Sequence, residues 1–171
     1  MGSRVEMVAH LPATVIGCSN LIIVGGRYLL VQESKGPARS RFNLPAGKPE
    51  LGETLPEAAV REAREETGLD VEVEHLVAIY HCPRTWEGVG VVNFVFRSKV
   101  AGGALRTTAE HPVVGYFSRE EIAQLGREGR LRGVHIELAI DQCATGARLA
   151  MDTVQLIASA PSPAAPGRGQ G

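Results

Sequence analysis

Three glutamates at helical spacing constrain this chain more than any other feature of its sequence. The segment that carries them runs from Gly47 to Leu69 and reads GKPELGETLPEAAVREAREETGL. Glu62, Glu65 and Glu66 stand at positions i, i+3 and i+4, so a helix would project all three within roughly 100° of one face. Like charges at these spacings repel by about 0.2–0.5 kcal/mol per exposed pair. A hard divalent cation with oxygen ligands is the natural compensation, and the alternative is an ordinary solvated helix face.

The signals around these glutamates predict a well-bounded helix. Thr54 followed by Glu57 is a capping box, which satisfies two backbone N–H groups at a helix start. Gly68 is suited to the left-handed residue that ends a helix. The sequence therefore predicts a helix over Leu55–Thr67. The preceding stretch, residues 43–53, is rich in glycine and proline and is predicted to be a loop.

The whole segment resembles the signature of the Nudix hydrolases. A mild departure is a small alanine where the family more often has Ile, Leu or Val. The resemblance implies an α/β protein with the Nudix fold, an α/β/α sandwich around a mixed β-sheet. The fixed positions of the signature are all filled, by Gly47, Glu53, Arg61, Glu62, Ala63, Glu65, Glu66, Gly68 and Leu69.

The resemblance further implies a hydrolase that uses a divalent metal to cleave diphosphate linkages, typically in a nucleoside diphosphate joined to another group. Mg²⁺ prefers octahedral oxygen coordination, so a cluster of glutamates suits it, and Mn²⁺ is the alternative cofactor. The implied metal ligands are Glu62, Glu65, Glu66 and the main-chain carbonyl of Gly47. Glu53 is an outer acid that either touches a metal or braces the loop.

Two more residues receive catalytic roles from the resemblance. Arg61 is expected to orient carboxylates by pairing with Glu53 or Glu62, and the alternative is solvated helix charge. Glu110 precedes a predicted strand at a place where many family members carry an acid that reaches the metals and acts as general base. Nothing local fixes the direction of its side chain. Its neighbour His111 is a weaker candidate, for substrate contact.

Residues outside the signature give the substrate hypotheses. Pro83 lies at about the distance beyond the signature at which members that act on ADP-ribose often carry a proline. In the same loop, Arg84 is a candidate to hold a phosphate and Trp86 to stack on a base. Arg41 is a third candidate for substrate binding, next to an aromatic residue, Phe42, that is expected in the core. The alternative for Arg84 and Trp86 is a solvated arginine and a tryptophan packed on the domain.

Composition agrees with a small soluble enzyme that acts on a phosphorylated small molecule. The chain has 171 residues and a net charge of −1, which gives no electrostatic reason to expect binding to nucleic acid or to a membrane surface. No apolar run approaches the 18 residues of a membrane span, and the start of the chain does not resemble a signal peptide. Cys18, Cys82 and Cys143 show neither disulfide nor zinc spacing, so a cytoplasmic location is expected. Many family members are dimers, which makes a homodimer an open alternative.

Local patterns predict one domain with a lead-in and a tail. Residues 1–13 are expected to be loosely ordered, residues 14–157 to form the Nudix domain, and residues 158–171, rich in Pro, Ala and Gly, to be disordered. Two strands that flank Gly25 and Gly26 are expected to pair as a hairpin. Predicted strands cover residues 14–24, 27–32, 71–80, 89–97 and 113–117. Two further helices are predicted, one from the capping box of Ser118 and Glu121 toward residue 125 and one over residues 134–145.

Three functions remain open on the sequence alone. The first is a Mg²⁺-dependent pyrophosphohydrolase that cuts the diphosphate of an ADP-ribose-like or nucleotide substrate. The second is a phosphatase that releases orthophosphate from a small pyrimidine or nucleoside di- or triphosphate. The run from about residue 132 to residue 146, which follows the helix predicted from Ser118, resembles small bacterial Nudix phosphatases and favours this second function. The third is a Nudix-like ligand sensor without turnover, which the intact set of glutamates disfavours.

Overall fold

A computed structural model describes residues 14–85 and 88–154 of the chain. This part contains seven strands and three α-helices, and a 3₁₀ turn follows them at Met151–Thr153. The strands are β1 (Thr14–Val24), β2 (Arg27–Gln32), β3 (Phe42–Asn43), β4 (Ala46–Gly47), β5 (Leu69–Cys82), β6 (Gly90–Gly103) and β7 (Val114–Phe117). The helices are α1 (Leu55–Thr67), α2 (Arg119–Arg127) and α3 (His135–Ala144).

Strand β1 organises a mixed sheet in the order β3-β2-β1-β6-β5. It runs parallel to β6 over nine residue pairs, from Thr14 opposite Gly90 to Ile22 opposite Ser98. β6 is antiparallel to β5, and β2 is antiparallel to both β3 and β7. β4 pairs antiparallel with the middle of β1. The predicted mixed sheet is therefore confirmed.

Neighbouring residues of the central strands point into two different cores, because side chains alternate across a strand. Leu21 and Val77 face α2 and α3, in a core that also holds Ile136. Cys18 and Leu76 face α1, in a second core on the other side of the sheet. A third cluster extends this second core along the same helix. The helices thus cover both faces, which confirms the predicted α/β/α sandwich.

The local signals located the helices well. α1 begins and ends where predicted, with both hydrogen bonds of the Thr54 capping box in place. Gly68 adopts φ +77° and donates its N–H to the carbonyl of Arg64 at 2.9 Å. The capping box at Ser118 likewise opens α2, which continues two residues beyond the prediction. The five predicted strands are all present, and β5 and β6 extend past the predicted bounds.

The sequence reading was incomplete at two places. Residues 43–53 were expected to be a loop, but β4 and the end of β3 lie within them. The hairpin at Gly25 and Gly26 forms, yet β1 and β2 pair only at Ile23 and Val24, and β1 pairs with β4 instead at Cys18 and Ser19. The predicted lead-in, residues 1–13, and tail, residues 158–171, lie outside the described residues. In the part of the chain that is described, no helix is long and apolar enough to cross a membrane.

Candidate active site and metal centre

Helix α1 turns its glutamate face toward the short strand β4. Pairing of Ala46 and Gly47 with β1 fixes that strand, and Gly47 then lies directly against the Glu62 side chain. A Cβ atom at Gly47 would collide with the Glu62 carboxylate. The glycine at this position therefore makes room for the carboxylate beside the main chain.

The guanidinium of Arg61 donates hydrogen bonds to three carboxylates of this face. Its Nε and Nη2 donate to the two oxygens of Glu53 at 2.8 and 3.0 Å. Its Nη1 donates to Glu62 Oε1 at 2.8 Å and to Glu65 Oε2 at 3.2 Å, and Nη2 also donates to the carbonyl of Lys48 at 2.9 Å. These hydrogen bonds hold the pKa of Glu53 below its usual value and raise that of Arg61. The predicted pairing of Arg61 is confirmed with both acids.

Glu66 is the most enclosed glutamate of the face, with only 11% of its side chain exposed. Its Oε2 accepts a hydrogen bond from the Ala46 N–H at 3.0 Å, and its Oε1 lies 3.3 Å from Nε2 of His111. Burial raises the pKa of the Glu66 carboxyl to about 8, against the charge of His111 and the Ala46 hydrogen bond, which lower it. Glu65, in contrast, is 60% exposed.

His111 lies between the glutamate face and Glu33, the residue that directly follows β2. The imidazole is buried, and its Nε2 lies 3.7 Å from Glu33 Oε2. Burial alone would lower the pKa of His111, but the nearby carboxylates of Glu33 and Glu66 raise it above its usual value. The proximity of His111 is likewise the main reason that the pKa of Glu33 is lowered. Glu33 in turn lines a cleft beside β4.

That cleft has a volume of about 700 Å³ and adjoins the glutamate face at Ala46, Gly47 and Lys48. Much of its wall is apolar and comes from β1, β6 and α3. A largely apolar cleft with a few polar groups is typical of small-molecule sites. The polar and charged residues that line it include Glu33, Asn43, Lys48, Tyr80, Arg84, Asn93, Arg132 and His135.

The structure brings most of the predicted site residues together. Arg84 lines the cleft as an exposed side chain. Five others lie on α1 or on the loop just before it: Glu53, Arg61, Glu62, Glu65 and Glu66. Arg41 donates from Nη1 to the carbonyl of Leu131 at 3.3 Å, and it is absent from the described lining of the cleft. Its role in substrate binding stays a prediction that this placement does not support. Trp86 lies outside the described residues.

Glu110 is placed differently from the expectation. Its Oε1 accepts a hydrogen bond from Lys35 Nζ at 2.7 Å, and 66% of its side chain is exposed. The side chain that reaches the glutamate face from this loop is that of His111. The general-base role of Glu110 therefore remains a prediction with no observed contact behind it.

Sequence reasoning missed several residues of the site. Glu33 directly follows β2, and nothing in its local pattern indicates that it meets His111, which is 78 positions away in the chain. Asn43 carries a buried Oδ1 without a hydrogen-bond partner among the described residues. Arg132 and His135 precede or open α3, and only the tertiary fold brings them to the cleft.

The donor set of the α1 face fits a hard divalent cation. It consists of carboxylate oxygens, which are ligands that Mg²⁺ and Mn²⁺ prefer. In the described part of the chain, no three acidic, histidine or cysteine side chains converge on one another as a metal site. Glu53, Glu62 and Glu65 converge on the cationic guanidinium of Arg61 instead. This grouping of three carboxylates around a positive charge agrees with a face that binds a cation.

Known proteins resemble this chain across the fold. The model of the NUDIX domain matches residues 14–136. The ADP-ribose pyrophosphatase of Methanocaldococcus jannaschii is 32% identical over 110 residues, which are 64% of this chain and 65% of the relative. The human 8-oxo-dGDP phosphatase is 43% identical over 82 residues, 48% of this chain and 24% of the relative. A solved NUDIX hydrolase from Nitrosomonas europaea has a TM-score of 0.75 at 28% identity and covers 84% of this chain and 97% of its own.

The chain spans only part of these two curated relatives, 24% of the human protein and 65% of the archaeal one. Their activities are therefore properties of whole proteins that the match covers only in part. The match to the solved structure, in contrast, extends over almost all of that chain. The residues that the NUDIX model matches, 14–136, contain the whole signature and therefore the glutamate face of α1.

Proposed function

The chain belongs to the NUDIX family, and from that premise we propose that it is a metal-dependent hydrolase that cleaves the diphosphate linkage of a nucleoside diphosphate derivative. The observation that carries the proposal is the glutamate face of α1, packed on the glycine of β4 at the edge of a cleft of about 700 Å³. The diphosphate of a substrate would lie at the glutamate face while the uncharged group joined to it lies in the cleft.

The residues of the face have distinct roles in this proposal. Glu62, Glu65, Glu66 and the carbonyl of Gly47 would hold Mg²⁺ or Mn²⁺. When bound, such a cation neutralises phosphate charge and lowers the pKa of a water molecule that attacks phosphorus. Arg61 fixes the directions of three carboxylates by four of its hydrogen bonds, so that little reorganisation is needed when substrate binds.

The cleft would bind the remainder of the substrate. Arg84 and Lys48 are exposed cations at its wall and suit phosphate oxygens. The apolar part, with Tyr80, suits the base or sugar. An ADP-ribose-like substrate is favoured by Pro83 in the cleft wall and by the archaeal ADP-ribose pyrophosphatase among the relatives.

The second candidate is a phosphatase that removes orthophosphate from a nucleoside diphosphate. The human relative, an 8-oxo-dGDP phosphatase, supports it at the higher sequence identity but over a shorter match. The same glutamate face serves both reactions, since only the orientation of the diphosphate differs. A cytoplasmic location and a homodimer stay predictions from the sequence.

Product analysis separates these candidates. The purified chain with Mg²⁺ would receive ADP-ribose, NADH, dinucleoside polyphosphates, nucleoside di- and triphosphates, and pyrimidine diphosphates. Nucleoside monophosphate with a second phosphorylated fragment would support the pyrophosphohydrolase, whereas orthophosphate alone would support the phosphatase. Glu65→Gln and Glu66→Gln are each expected to lower turnover sharply, because they remove charge that a cation requires. Near-normal rates in both variants would contradict the metal assignment.

A further inference from the structure

His111 lies between two carboxylates that belong to different parts of the molecule. Its Nε2 is 3.3 Å from Oε1 of Glu66 on α1 and 3.7 Å from Oε2 of Glu33 after β2. Only 6% of the residue is exposed. Burying a polar ring costs free energy unless its polar atoms are engaged, so the two carboxylates account for its position. Glu66 belongs to the glutamate face, and Glu33 to the cleft.

The loop that carries His111 is held rigidly against the end of β2. Ser34 donates its N–H to the carbonyl of Glu110 at 3.0 Å and its hydroxyl to the carbonyl of Ala109 at 2.9 Å. Gln32 donates its N–H to the carbonyl of Val113 at 2.8 Å. Within the loop, the N–H of His111 donates to Thr108 Oγ1 at 2.9 Å. These hydrogen bonds fix the main chain on both sides of the imidazole, so its position relative to Glu33 and Glu66 is set by the fold.

Glu66 is contacted at both carboxylate oxygens. Ala46 N–H occupies one site on Oε2, and His111 faces Oε1. A carboxylate oxygen has two lone-pair directions, so these contacts fix the plane of the group and leave one direction on each oxygen for a cation. Groups that orient a metal ligand in this way typically change metal affinity or activity by about 10- to 100-fold when removed.

We propose that His111 is a positioning residue that orients Glu66 for cation binding, and that Glu33 acts through His111 by holding its ring. The proposal rests on the proposed function for the role of Glu66. In this proposal, the residue of the loop that acts on the glutamate face is the inward-facing His111. The neighbouring Glu110 pairs with Lys35 at the surface.

Two substitutions with the same chemistry and different reach test the role of His111. The amide of His111→Gln can place a donor near the position of Nε2, whereas the amide of His111→Asn is one bond shorter and does not reach Glu66. Lys35→Met is the matched control, because it removes an exposed ion pair between the same two loops. Glu33→Gln and its combination with His111→Asn test whether Glu33 acts through the imidazole.

The main readout is the affinity of the full chain for Mn²⁺ in the absence of substrate. Electron paramagnetic resonance measures it through the signal of the free ion, and the melting temperature is measured in parallel. We expect His111→Asn to raise the Mn²⁺ dissociation constant by about 10-fold or more. His111→Gln should recover most of that loss at a similar melting temperature, and Lys35→Met should match the wild type. The double variant should bind no worse than His111→Asn alone, because residues that act as one unit are not additive.

Equal Mn²⁺ affinities of the Asn and Gln variants would overturn the positioning role, as would a wild-type chain that binds no Mn²⁺. Additive losses in the double variant would overturn the part assigned to Glu33. A wild-type chain that binds Mn²⁺ with the expected order of variants but hydrolyses no diphosphate would contradict the proposed function alone. Turnover measured over a range of Mg²⁺ concentrations gives a second comparison, in which His111→Asn should need more Mg²⁺ for half-maximal rate.

Discussion

At the scale of single residues, Gly47 joins the strand to the glutamate face. The Glu62 carboxylate occupies the space that any Cβ at this position would take. We expect Gly47→Ala to push that carboxylate away from β4 and from its 2.8 Å contact with Arg61, because the end of a glutamate moves more easily than a paired strand. Turnover should fall by about 10-fold or more, as for other losses of ligand orientation, while the melting temperature stays close to that of the wild type.

A second glycine provides the control for this prediction. Gly115 lies in β7, and a Cβ there would meet only Phe117 at an ordinary contact distance of 3.9 Å. Gly115→Ala should therefore keep both turnover and melting temperature. Steady-state kinetics and thermal unfolding of the two variants give the comparison. Wild-type turnover in Gly47→Ala would show that the position of Glu62 beside β4 is unimportant for the reaction.

At the scale of elements, the parts that could be predicted from sequence are those held together by near neighbours. Helix α1 was located from Thr54, Glu57 and Gly68, whose interactions span three or four positions. β4 could not be located in this way, because a two-residue strand has no pattern of its own and depends on pairing with β1. The contact between Glu33 and His111 has the same origin. The glutamate face was identified from the family resemblance, whereas the residues around it were identified only from the structure.

A buried polar network connects three of these elements. Asn20 on β1 donates from Nδ2 to the carbonyl of Ala59 in α1 at 2.7 Å and to that of Pro45 before β4 at 3.3 Å. Its Oδ1 accepts the hydroxyl of Ser98 on β6 at 2.8 Å. Asn20 and Ser98 are fully buried. The network therefore ties both α1 and the residue just before β4, on the two sides of the glutamate face, to β1.

Removing the Ser98 hydroxyl tests this network. Ser98→Ala leaves Oδ1 of Asn20 buried without a donor, which should lower the free energy of unfolding by about 1–3 kcal/mol. Asn20→Asp should cost more, because it removes both hydrogen bonds to the main chain and buries a charge. Urea denaturation at neutral pH measures both losses. A Ser98→Ala variant as stable as the wild type would mean that the network contributes nothing beyond filling space.

At the scale of the whole molecule, strand β1 joins the two cores and the site. Its residues alternate between the α1 side and the α2–α3 side, and its edge pairs with β4. The strand was predicted from sequence as one arm of the hairpin at Gly25 and Gly26. Its parallel partner could not be predicted locally, since β6 begins 76 positions later at Gly90. The cleft exists only because this pairing brings β6, the end of β5 and the start of α3 to one side of β4.

The stability of the whole chain should depend on pH through His135, at the start of α3. Burial, together with the nearby charge of Arg132, lowers the pKa of His135 from 6.5 to about 4. Between these values the unfolded chain binds the proton and the folded chain does not, so stability is lost as pH falls from above 6.5 toward 4. A difference of this size corresponds to at most about 3 kcal/mol. His135→Gln removes this contribution and leaves every other titrating group in place. Urea denaturation from pH 7.5 to 4.5 should therefore show the wild type losing stability relative to His135→Gln, and parallel curves for the two proteins would contradict the assignment.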